Sequence, residues 1–247
     1  MIRKKKPVSA PAFSRRRRRG AGPFVSAVVV AAGSSRRMEG IDKLTAPLLG
    51  RPVLGRTLEV LQSCPGIDEL VLVLREGGSP ETLAAASGFD KLRRIVSGGD
   101  TRTESAYLGV MACDPGADYI LIHDGARPLV TEAVVRAALE GAREFGAAVP
   151  VTPVTDTVKV GEKGFAAATP PRDTLFAAQT PQAFRAELIK AALQDAVDRG
   201  LSLTDDCAAV ERLGMRVKLV EGDSRNRKIT LPSDLKLAEA LWEELHP

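Results

Sequence analysis

Residues 24–43 read FVSAVVVAAGSSRRMEGIDK, and this stretch decides the fold class. The valine-rich run Val25–Ala32 predicts a β-strand buried on both faces, as the strands of parallel sheets are. The small residues AAGSS that follow would let a ligand approach the backbone, whose N–H groups can bind phosphate oxygens. Arg37 and Lys43 would add positive charge at the same place. The stretch therefore predicts a strand that ends in a phosphate-binding loop. It lacks the GxxxxGK(S/T) and GxGxxG patterns, and an ordinary strand-to-helix turn with solvated arginines is the alternative at this point.

A basic segment in front of this strand suggests a different interpretation, an export signal. Residues 1–20 contain nine Lys and Arg residues and no acid, and a short apolar run with small residues follows them. Cleavage after Ala32, however, would remove the first strand. We therefore interpret residues 1–23 as a disordered basic N-terminal tail and residues 24–247 as a single domain. A cytoplasmic protein is expected, and a plastid protein is the alternative if the tail is a transit peptide.

The composition excludes several classes of protein. Outside the basic tail, 26 basic side chains stand against 31 acidic ones, so a nucleic-acid-binding function would rest on the tail alone. No apolar run approaches the roughly 20 residues that a membrane-spanning helix needs. Three distant cysteines and two histidines argue against a disulfide framework and against a metal site built on Cys or His. Any metal should be a hard ion bound by oxygen, most simply Mg²⁺.

Apolar patterns along the chain alternate between strands and helices. The predicted strands are Val25–Ala32, Leu70–Leu74, Leu92–Val96, Tyr119–Ile122, Ala147–Val151 and Val217–Val220. The predicted helices lie around Leu54–Leu61, Pro80–Ser87, Thr101–Ala112, Val134–Ala142, Arg185–Arg199, Asp205–Leu213 and Leu235–Leu245. Residues 152–178 combine turn residues with alternating Val, Thr and Lys, which predicts a protruding β-arm. The order of elements predicts an α/β fold with a mostly parallel sheet covered by helices on both faces.

Three loops would lie beyond the carboxyl ends of these strands, where parallel sheets carry their active sites. They span Gly33–Lys43, Ser97–Thr101 and His123–Pro128. The second belongs to the segment SGGDTRTES, whose glycines permit the close approach of a flat base. A tight turn closed by a capping box between Thr101 and Glu104 explains the same residues equally well.

The third loop, HDGARP, places a carboxylate and a guanidinium at the end of an apolar strand. Asp124 suits Mg²⁺ or a sugar hydroxyl, and Arg127 suits a phosphate or a structural ion pair. His123 is tempting as a general base, but a lone histidine beside a strand end is more often a hydrogen-bonded structural residue.

Eight segments occur in the order in which they stand in one enzyme family. They are VVVAAGSSRRM, the lysine before APLLGRPV, SGGDTRTES, HDGARP, DTV, AQTPQAF, LTDD and VEGDSRNRKITLPSDLKLAE. The first pattern is shared by many sugar-nucleotide transferases, whereas AQTPQ, TDD and VEGDSRNRKIT together are far more specific. Over about residues 24–245 the chain resembles the 2-C-methyl-D-erythritol 4-phosphate cytidylyltransferase family. The resemblance implies a Rossmann-like nucleotidyltransferase domain and a homodimer in which the partner's arm completes each active site.

The resemblance also implies a reaction and a role for each matching residue. CMP would pass from CTP, with Mg²⁺, to 2-C-methyl-D-erythritol 4-phosphate, and pyrophosphate would leave. Arg37 and Lys43 match the pair that stabilises the transition state, while Arg172, from the other subunit, and Lys228 match the pair that positions the attacking phosphate. The positions around the nucleotide are Ala31, Ala32, Gly33, Gly99, Asp100 and Ser105. Those on the sugar phosphate side are Asp124, Arg127, Thr157, Thr180 and Thr204, and Asp124 is also a candidate metal ligand.

Some residues depart from the family's pattern. Ser35 stands where the family usually has glycine, and a positive φ there would strain it. Lys43 is flanked by Asp and Leu instead of Pro and Gln, in a loop about one residue shorter, which affects the reach expected of it. Gly125 replaces a commoner alanine, and Thr155 and Arg227 replace a basic residue and an isoleucine.

The implied chemistry suits a chain with almost no histidine. A phosphate oxygen that attacks phosphorus is already ionised near pH 7, so positioning and charge neutralisation are needed more than a general base. The nearest alternative is a cytidylyltransferase for another alditol phosphate, such as ribitol 5-phosphate. A nucleic-acid-binding protein that acts through its tail is an alternative of a different class.

Overall fold

The computed structural model describes residues 22–33, 38, 42–75 and 78–245. The predicted tail up to residue 21, Ser35 and Arg37 lie outside the described residues, whereas Gly22 and Pro23 are described and exposed. Within the described part of the chain, no helix is both long and apolar enough to cross a membrane.

The described elements alternate as the sequence predicts. The strands are β1 (Val25–Ala31), β2 (Pro47–Leu48), β3 (Arg51–Pro52), β4 (Glu69–Leu74), β5 (Leu92–Ser97), β6 (Tyr119–Asp124), β7 (Ala147–Pro153), β8 (Val160–Glu162), β9 (Phe165–Ala168), β10 (Phe176–Ala178), β11 (Gln182–Arg185) and β12 (Lys218–Glu221). The helices are α1 (Val53–Ser63), α2 (Pro80–Ala85), α3 (Arg102–Met111), α4 (Glu132–Phe145), α5 (Ala186–Asp198), α6 (Cys207–Arg212) and α7 (Pro232–Leu245), with a 3₁₀ turn at Arg172–Thr174. Every predicted strand and helix is present, with ends that differ by a few residues.

The main sheet places β1 at its centre. The order is β10-β7-β11-β6-β1-β4-β5, and β12 pairs with β7 as well. Strand β1 is parallel to both β4 and β6, and β4 is parallel to β5, so the carboxyl ends of these four strands share one edge. The valines of β1 alternate between two buried clusters, with Val29 on the face of α1, α4 and α7 and Val28 on the face of α3, α5 and α6. The predicted mostly parallel α/β sheet with helices on both faces is confirmed.

One strand of the sheet was missed by the sequence patterns. Strand β11 lies antiparallel between β6 and β7, and it comes from the AQTPQAF segment. Its four residues are too few to show a period, and Ala183 and Phe184 become fully buried only because two longer strands flank them. The missed strand places the AQTPQ motif directly beside the end of β6.

Residues 152–178 form the expected arm in part. Strands β8 and β9 pair as a separate antiparallel hairpin, and Phe165 at its turn is 80% exposed. Strand β10, by contrast, returns to the main sheet and pairs with the end of β7. The protruding segment is therefore the hairpin, and β10 anchors its base to the domain.

Candidate active site

Two of the three predicted loops meet the end of β1 at one edge of the sheet, whereas residues 34–37 and 39–41 of the first predicted loop lie outside the described residues. A Cβ built on Gly98 would lie 2.6 Å from the Ala32 Cβ, and one built on Gly125 would lie 3.0 Å from the Ala31 Cβ. The loops that follow β5 and β6 therefore both touch the end of β1, and glycine at these positions permits the close approach. The prediction is confirmed for the loops after β5 and β6, and Gly125 fits where the Cβ of an alanine would be tight.

The loop after β5 is held rigid by its own side chains. Thr101 Oγ1 accepts a hydrogen bond from the Glu104 amide (3.1 Å), and Glu104 Oε2 accepts from the Thr101 amide (3.2 Å), so the predicted capping box is present. Ser105 Oγ donates to Thr101 O (2.9 Å) and accepts from the Gly99 amide (3.2 Å). Asp100 stays exposed at the tip, while the buried Ser105 hydroxyl shapes the loop.

Three cations surround the carboxylate of Asp124 at the end of β6. Lys228 Nζ lies 2.9 Å from Oδ2, Arg127 Nε lies 3.4 Å from Oδ2, and Arg102 Nη2 lies 3.8 Å from Oδ1. Arg127 is fixed in turn by donation to Asn226 O (2.8 Å). Burial alone would raise the pKa of Asp124, but Lys228, Arg102 and Arg127 outweigh it and hold the pKa well below its usual range. Asp124 is thus a fixed negative charge that gathers cations from three segments.

A buried histidine lies beneath Asp124. His123 Nε2 is 3.2 Å from Arg127 O and Nδ1 is 3.0 Å from Thr180 Oγ1, which also accepts the Asp124 amide (3.1 Å). The carbonyl can only accept, so Nε2 carries the proton and the Thr180 hydroxyl donates to Nδ1. Burial is the main cause that lowers the pKa of His123 to about 4. His123 is therefore a neutral structural residue, as the sequence reasoning expects, and it orients Thr180.

Two glutamines of the AQTPQ motif fasten neighbouring segments to this edge. Gln179 Nε2 donates to Asp223 O (2.8 Å), and its Oε1 accepts from Asn226 Nδ2 (3.2 Å). Gln182 Oε1 accepts the amides of Asp206 (3.0 Å) and Cys207 (3.1 Å). Gln179 therefore secures the loop that carries Lys228, while Gln182 secures the TDD segment. Sequence reasoning gave these amides no role, although the motifs that carry them were the specific signal.

The remaining predicted residues differ in their exposure. Thr157 and Thr204 are exposed, and so is Arg172, whose Nη1 donates to Thr155 O (2.9 Å) at the base of the arm. Lys43 is half-buried in a turn in which Asp42 O accepts the Ala46 amide (2.9 Å). Arg227 is exposed. Asp124 contacts Arg127 and Lys228 through its carboxylate and Thr180 through its backbone amide.

The described side chains do not form a dedicated magnesium site. Asp124 is the predicted ligand, but both of its oxygens face cations. Among the described residues there is also no group of three or more His, Cys, Asp or Glu side chains that could hold a metal ion. The carboxylate of Asp124, with a cation at each oxygen, therefore does not fit the role of a metal ligand.

Comparisons with known proteins agree with the geometry. A family model described as "IspD: 2-C-methyl-D-erythritol 4-phosphate cytidylyltransferase" matches residues 25–244. A protein of that enzyme name from Geobacter metallireducens is 45% identical over 230 residues, which cover 90% of this chain and 99% of that protein. A "Bifunctional enzyme IspD/IspF" from Desulforudis audaxviator is 46% identical over 220 residues, 87% of this chain, and the chain spans 56% of its length.

A solved structure resembles the fold over nearly its whole length. The crystal structure of 4-diphosphocytidyl-2C-methyl-D-erythritol synthase from Anaerococcus prevotii superposes with a TM-score of 0.80 at 33% identity. The match covers 90% of this chain and all of that one. With the family model matched over nearly all the described residues, the chain belongs to the 2-C-methyl-D-erythritol 4-phosphate cytidylyltransferase family.

Proposed function

We propose that this protein transfers CMP from CTP to 2-C-methyl-D-erythritol 4-phosphate. The products are pyrophosphate and 4-diphosphocytidyl-2-C-methyl-D-erythritol, in the non-mevalonate route to isoprenoid precursors. The observation that carries the proposal is the junction at the carboxyl edge of the sheet. There a glycine-rich loop suited to a nucleotide touches the strand end beside Asp124, Arg127 and Lys228.

In the proposed reaction, an oxygen of the sugar phosphate attacks the α-phosphorus of CTP in line and pyrophosphate leaves. The attacking phosphate is already ionised, so the chain needs to supply no general base. The neutral, fully buried His123 fits this requirement because it is engaged with Arg127 O and Thr180. Rate enhancement would come from cations placed where negative charge develops.

The roles follow the two sides of this junction. Arg37 and Lys43 would stabilise the transition state, and Lys228 and the partner's copy of Arg172 would position the attacking phosphate. The nucleotide would contact Ala31, Ala32, Gly33, Gly99, Asp100 and Ser105. The sugar phosphate would contact Asp124, Arg127, Thr157, Thr180 and Thr204. Lys228 Nζ lies 2.9 Å from Asp124 Oδ2, so this ammonium group would be positioned before the substrate arrives.

We propose that the β-arm exchanges between two copies of the chain. The hairpin of β8 and β9 is exposed throughout, and Arg172 contacts Thr155 within the arm. A residue carried on such an arm can serve a partner's site, which leaves Lys228 and Arg172 of one site on different subunits.

The arm exchange is testable by mixing two inactive variants. Arg172→Ala and Lys228→Ala subunits, denatured and refolded together in equal amounts, should recover about a quarter of wild-type activity. Random pairing makes half of the dimers heterodimers, and each heterodimer has one intact site out of two. Each variant refolded alone is the control. No recovery in mixtures shown by mass to contain mixed dimers would contradict the exchange.

Further proposals concern the ion and the cell compartment. Mg²⁺ would arrive with CTP, held mainly by the phosphate oxygens that hard cations prefer. We propose that residues 24–247 are one nucleotidyltransferase domain and residues 1–23 a basic tail, in a cytoplasmic protein. The three cysteines are free and buried, which agrees with a reducing compartment. If the tail is a transit peptide, the compartment would be a plastid.

Pyrophosphate release from CTP separates the proposed substrate from its nearest alternative. Wild-type protein is supplied with 2-C-methyl-D-erythritol 4-phosphate, ribitol 5-phosphate or erythritol 4-phosphate, and Lys228→Met protein gives the background. Release with the first compound at a kcat/KM at least tenfold above the others is expected. A preference for ribitol 5-phosphate would overturn the proposal. Binding to nucleic acid that disappears without residues 1–20, together with no transferase activity, would favour the alternative based on the tail.

A further inference from the structure

One cation of the Asp124 cluster has no role in the resemblance. Arg102 is the first residue of α3, directly after the Thr101 cap that closes the nucleotide loop. Its side chain is 26% exposed and runs from that loop to the TDD segment. There Nη1 and Nη2 each donate to one oxygen of Asp206, at 3.0 and 2.8 Å. Arg102 thus links the two substrate sides of the proposed site.

Asp206 is a rigid anchor for this guanidinium. The Asp206 side chain is 1% exposed, and its amide donates to Gln182 Oε1 (3.0 Å). Gln182 Nε2, of the same side chain, donates to Asp205 Oδ2 (2.8 Å). A bidentate pair with a fixed, buried carboxylate leaves the guanidinium little freedom.

The anchored guanidinium also faces Asp124. Nη2 lies 3.8 Å from Asp124 Oδ1, while Oδ2 of the same carboxylate holds Lys228 at 2.9 Å and Arg127 at 3.4 Å. The two oxygens therefore face different cations, one from the nucleotide loop and the others from the sugar phosphate side. Without Arg102, Asp124 would lose the charge on its Oδ1 side, and Asp206 would remain as an uncompensated buried anion close by.

We propose that Arg102 is a positioning residue that, anchored by Asp206, orients Asp124 and through it Lys228 for the sugar phosphate. The proposal rests on the transfer reaction proposed above for the consequences in catalysis, but not for the contacts themselves. Its competitor is a purely structural pair that joins α3 to α6 and affects only the fraction of folded protein.

The chain contains a matched control for that competitor. Arg94 also pairs with a buried carboxylate, since its Nη1 lies 2.9 Å from Glu69 Oε1, and the side-chain exposures are 36% for Arg94 and 4% for Glu69. Glu69 begins β4, at the opposite end of the parallel strands from the proposed site. Arg94→Met should therefore reproduce a loss of buried pairing without touching the proposed site.

Steady-state kinetics on the full-length protein test the role in catalysis. Arg102→Met should raise the KM for the sugar phosphate about tenfold or more, the scale of losing one charged contact, with the KM for CTP within about threefold. Arg94→Met should leave both constants unchanged. Arg102→Lys should have a higher melting temperature than Arg102→Met, because the lysine can still pair with Asp206. Its KM for the sugar phosphate should stay high, because a single ammonium group cannot replace the two-pronged guanidinium. The proposal is overturned if Arg102→Met lowers only kcat, or if Arg102→Lys restores both properties.

A second measurement does not depend on the substrate. NMR of ¹³C-aspartate-labelled protein follows the titration of the Asp124 carboxyl carbon with pH. The midpoint pH of this titration should be higher in Arg102→Met than in wild type, and it should be unchanged in Arg94→Met. An unmoved titration overturns the contact with Asp124 whatever the substrate is. Inactivity of wild-type protein with every sugar phosphate would instead overturn the proposed function and leave this measurement to judge the contact.

Discussion

Two buried carboxylates at opposite ends of the parallel strands have very different partners. Glu69, at the start of β4, accepts hydrogen bonds from Ser26 Oγ (2.6 Å), the Asp114 amide (2.8 Å) and Arg94 Nη1 (2.9 Å). Asp124, at the end of β6, is surrounded by three cationic side chains. Two of the three partners of Glu69 are neutral groups, whereas the three cations around Asp124 come from the start of α3 and from two loops.

In the proposed function, this difference separates a structural buried charge from one prepared for a ligand. The partners of Glu69 tie β1, the end of α3 and β5 together, and a hydroxyl and an amide have no charge to offer to an anion. The partners of Asp124 are long cations, of which Lys228 is 36% exposed, so an arriving phosphate can share them. In the proposed function, the same burial therefore serves stability at one end of the sheet and substrate binding at the other.

Removal of Lys228 should have the largest effect. Lys228→Met is expected to lower kcat/KM for the sugar phosphate about 10²–10³-fold, as the loss of one preorganised charge contact usually does. Lys236→Met, on the exposed face of α7, is the control and should leave kcat/KM unchanged. Pyrophosphate release measures both. If kcat/KM for the sugar phosphate falls by less than threefold in Lys228→Met, the proposed role of Asp124 and its cations in the reaction is wrong.

Neutral replacements of the two carboxylates test the comparison directly. Glu69→Gln should lower the free energy of unfolding by about 2–4 kcal/mol, because the new NH₂ group must face either the Asp114 amide or Arg94, both of which are donors. Asp124→Asn should instead lower kcat/KM about tenfold or more as Lys228 loses its anchor. Urea denaturation and pyrophosphate release are measured on both variants. The comparison is wrong if Glu69→Gln loses activity while its stability is unchanged.

The sequence predicted the scaffold better than the contacts that complete the site. The valine run of β1 and the capping box of Thr101 and Glu104 are local patterns, and both are present. Strand β11 escaped because its four residues are buried only by their neighbours. The pair of Arg102 and Asp206 joins residues 104 positions apart. No local pattern indicates which of the many cations faces a given carboxylate, since that depends on how loops from distant segments meet.

Resemblance supplied residue roles that periodicity did not, and the structure adds physical reasons for the motifs. AQTPQ supplies Gln179 and Gln182, whose amides hold the segments of Lys228 and Asp206 in place, and Thr180, which joins His123 to the Asp124 amide. The identities of these residues matter because each side chain forms several hydrogen bonds, to backbone or side-chain groups, at fixed distances. A motif in this site is thus a set of interlocking hydrogen bonds as much as a list of substrate contacts.

The acid sensitivity of stability should reveal His123 beneath the Asp124 site. Burial lowers the pKa of His123 from 6.5 to about 4. Between these two pH values, His123 is therefore protonated in the unfolded chain but neutral in the folded chain. The free energy of unfolding therefore keeps the full contribution of His123 above pH 6.5 and loses it as the pH falls towards 4. The loss amounts to about 3 kcal/mol, at roughly 1.4 kcal/mol per tenfold change in proton affinity. Asp124, whose pKa is also lowered, acts in the same direction but only near and below pH 3.8.

His123→Gln isolates this contribution. The variant should lose stability at pH 7.5, yet its free energy of unfolding should fall by about 3 kcal/mol less than that of wild type between pH 6.5 and pH 4. Urea denaturation across this range, on both proteins, measures the difference. Parallel pH profiles would show that the folded and unfolded chains bind a proton at His123 with the same affinity, which would contradict the lowered pKa of His123.

The smallest effect is expected for an ion pair on the protein surface, unlike the buried carboxylates at the two ends of the sheet. Arg199 Nε lies 2.7 Å from Asp195 Oδ1 on α5, which is shorter than the contact between Lys228 and Asp124, yet its side chain is 63% exposed. Water and salt screen such a pair, and the ordering of two side chains offsets its attraction. Arg199→Ala should therefore leave the melting temperature within about 2 °C of wild type and kcat/KM unchanged. If its melting temperature instead falls as far as that of Glu69→Gln, distance and not burial would set the value of a charge pair in this protein, and the contrast between Asp124 and Glu69 would lose its physical basis.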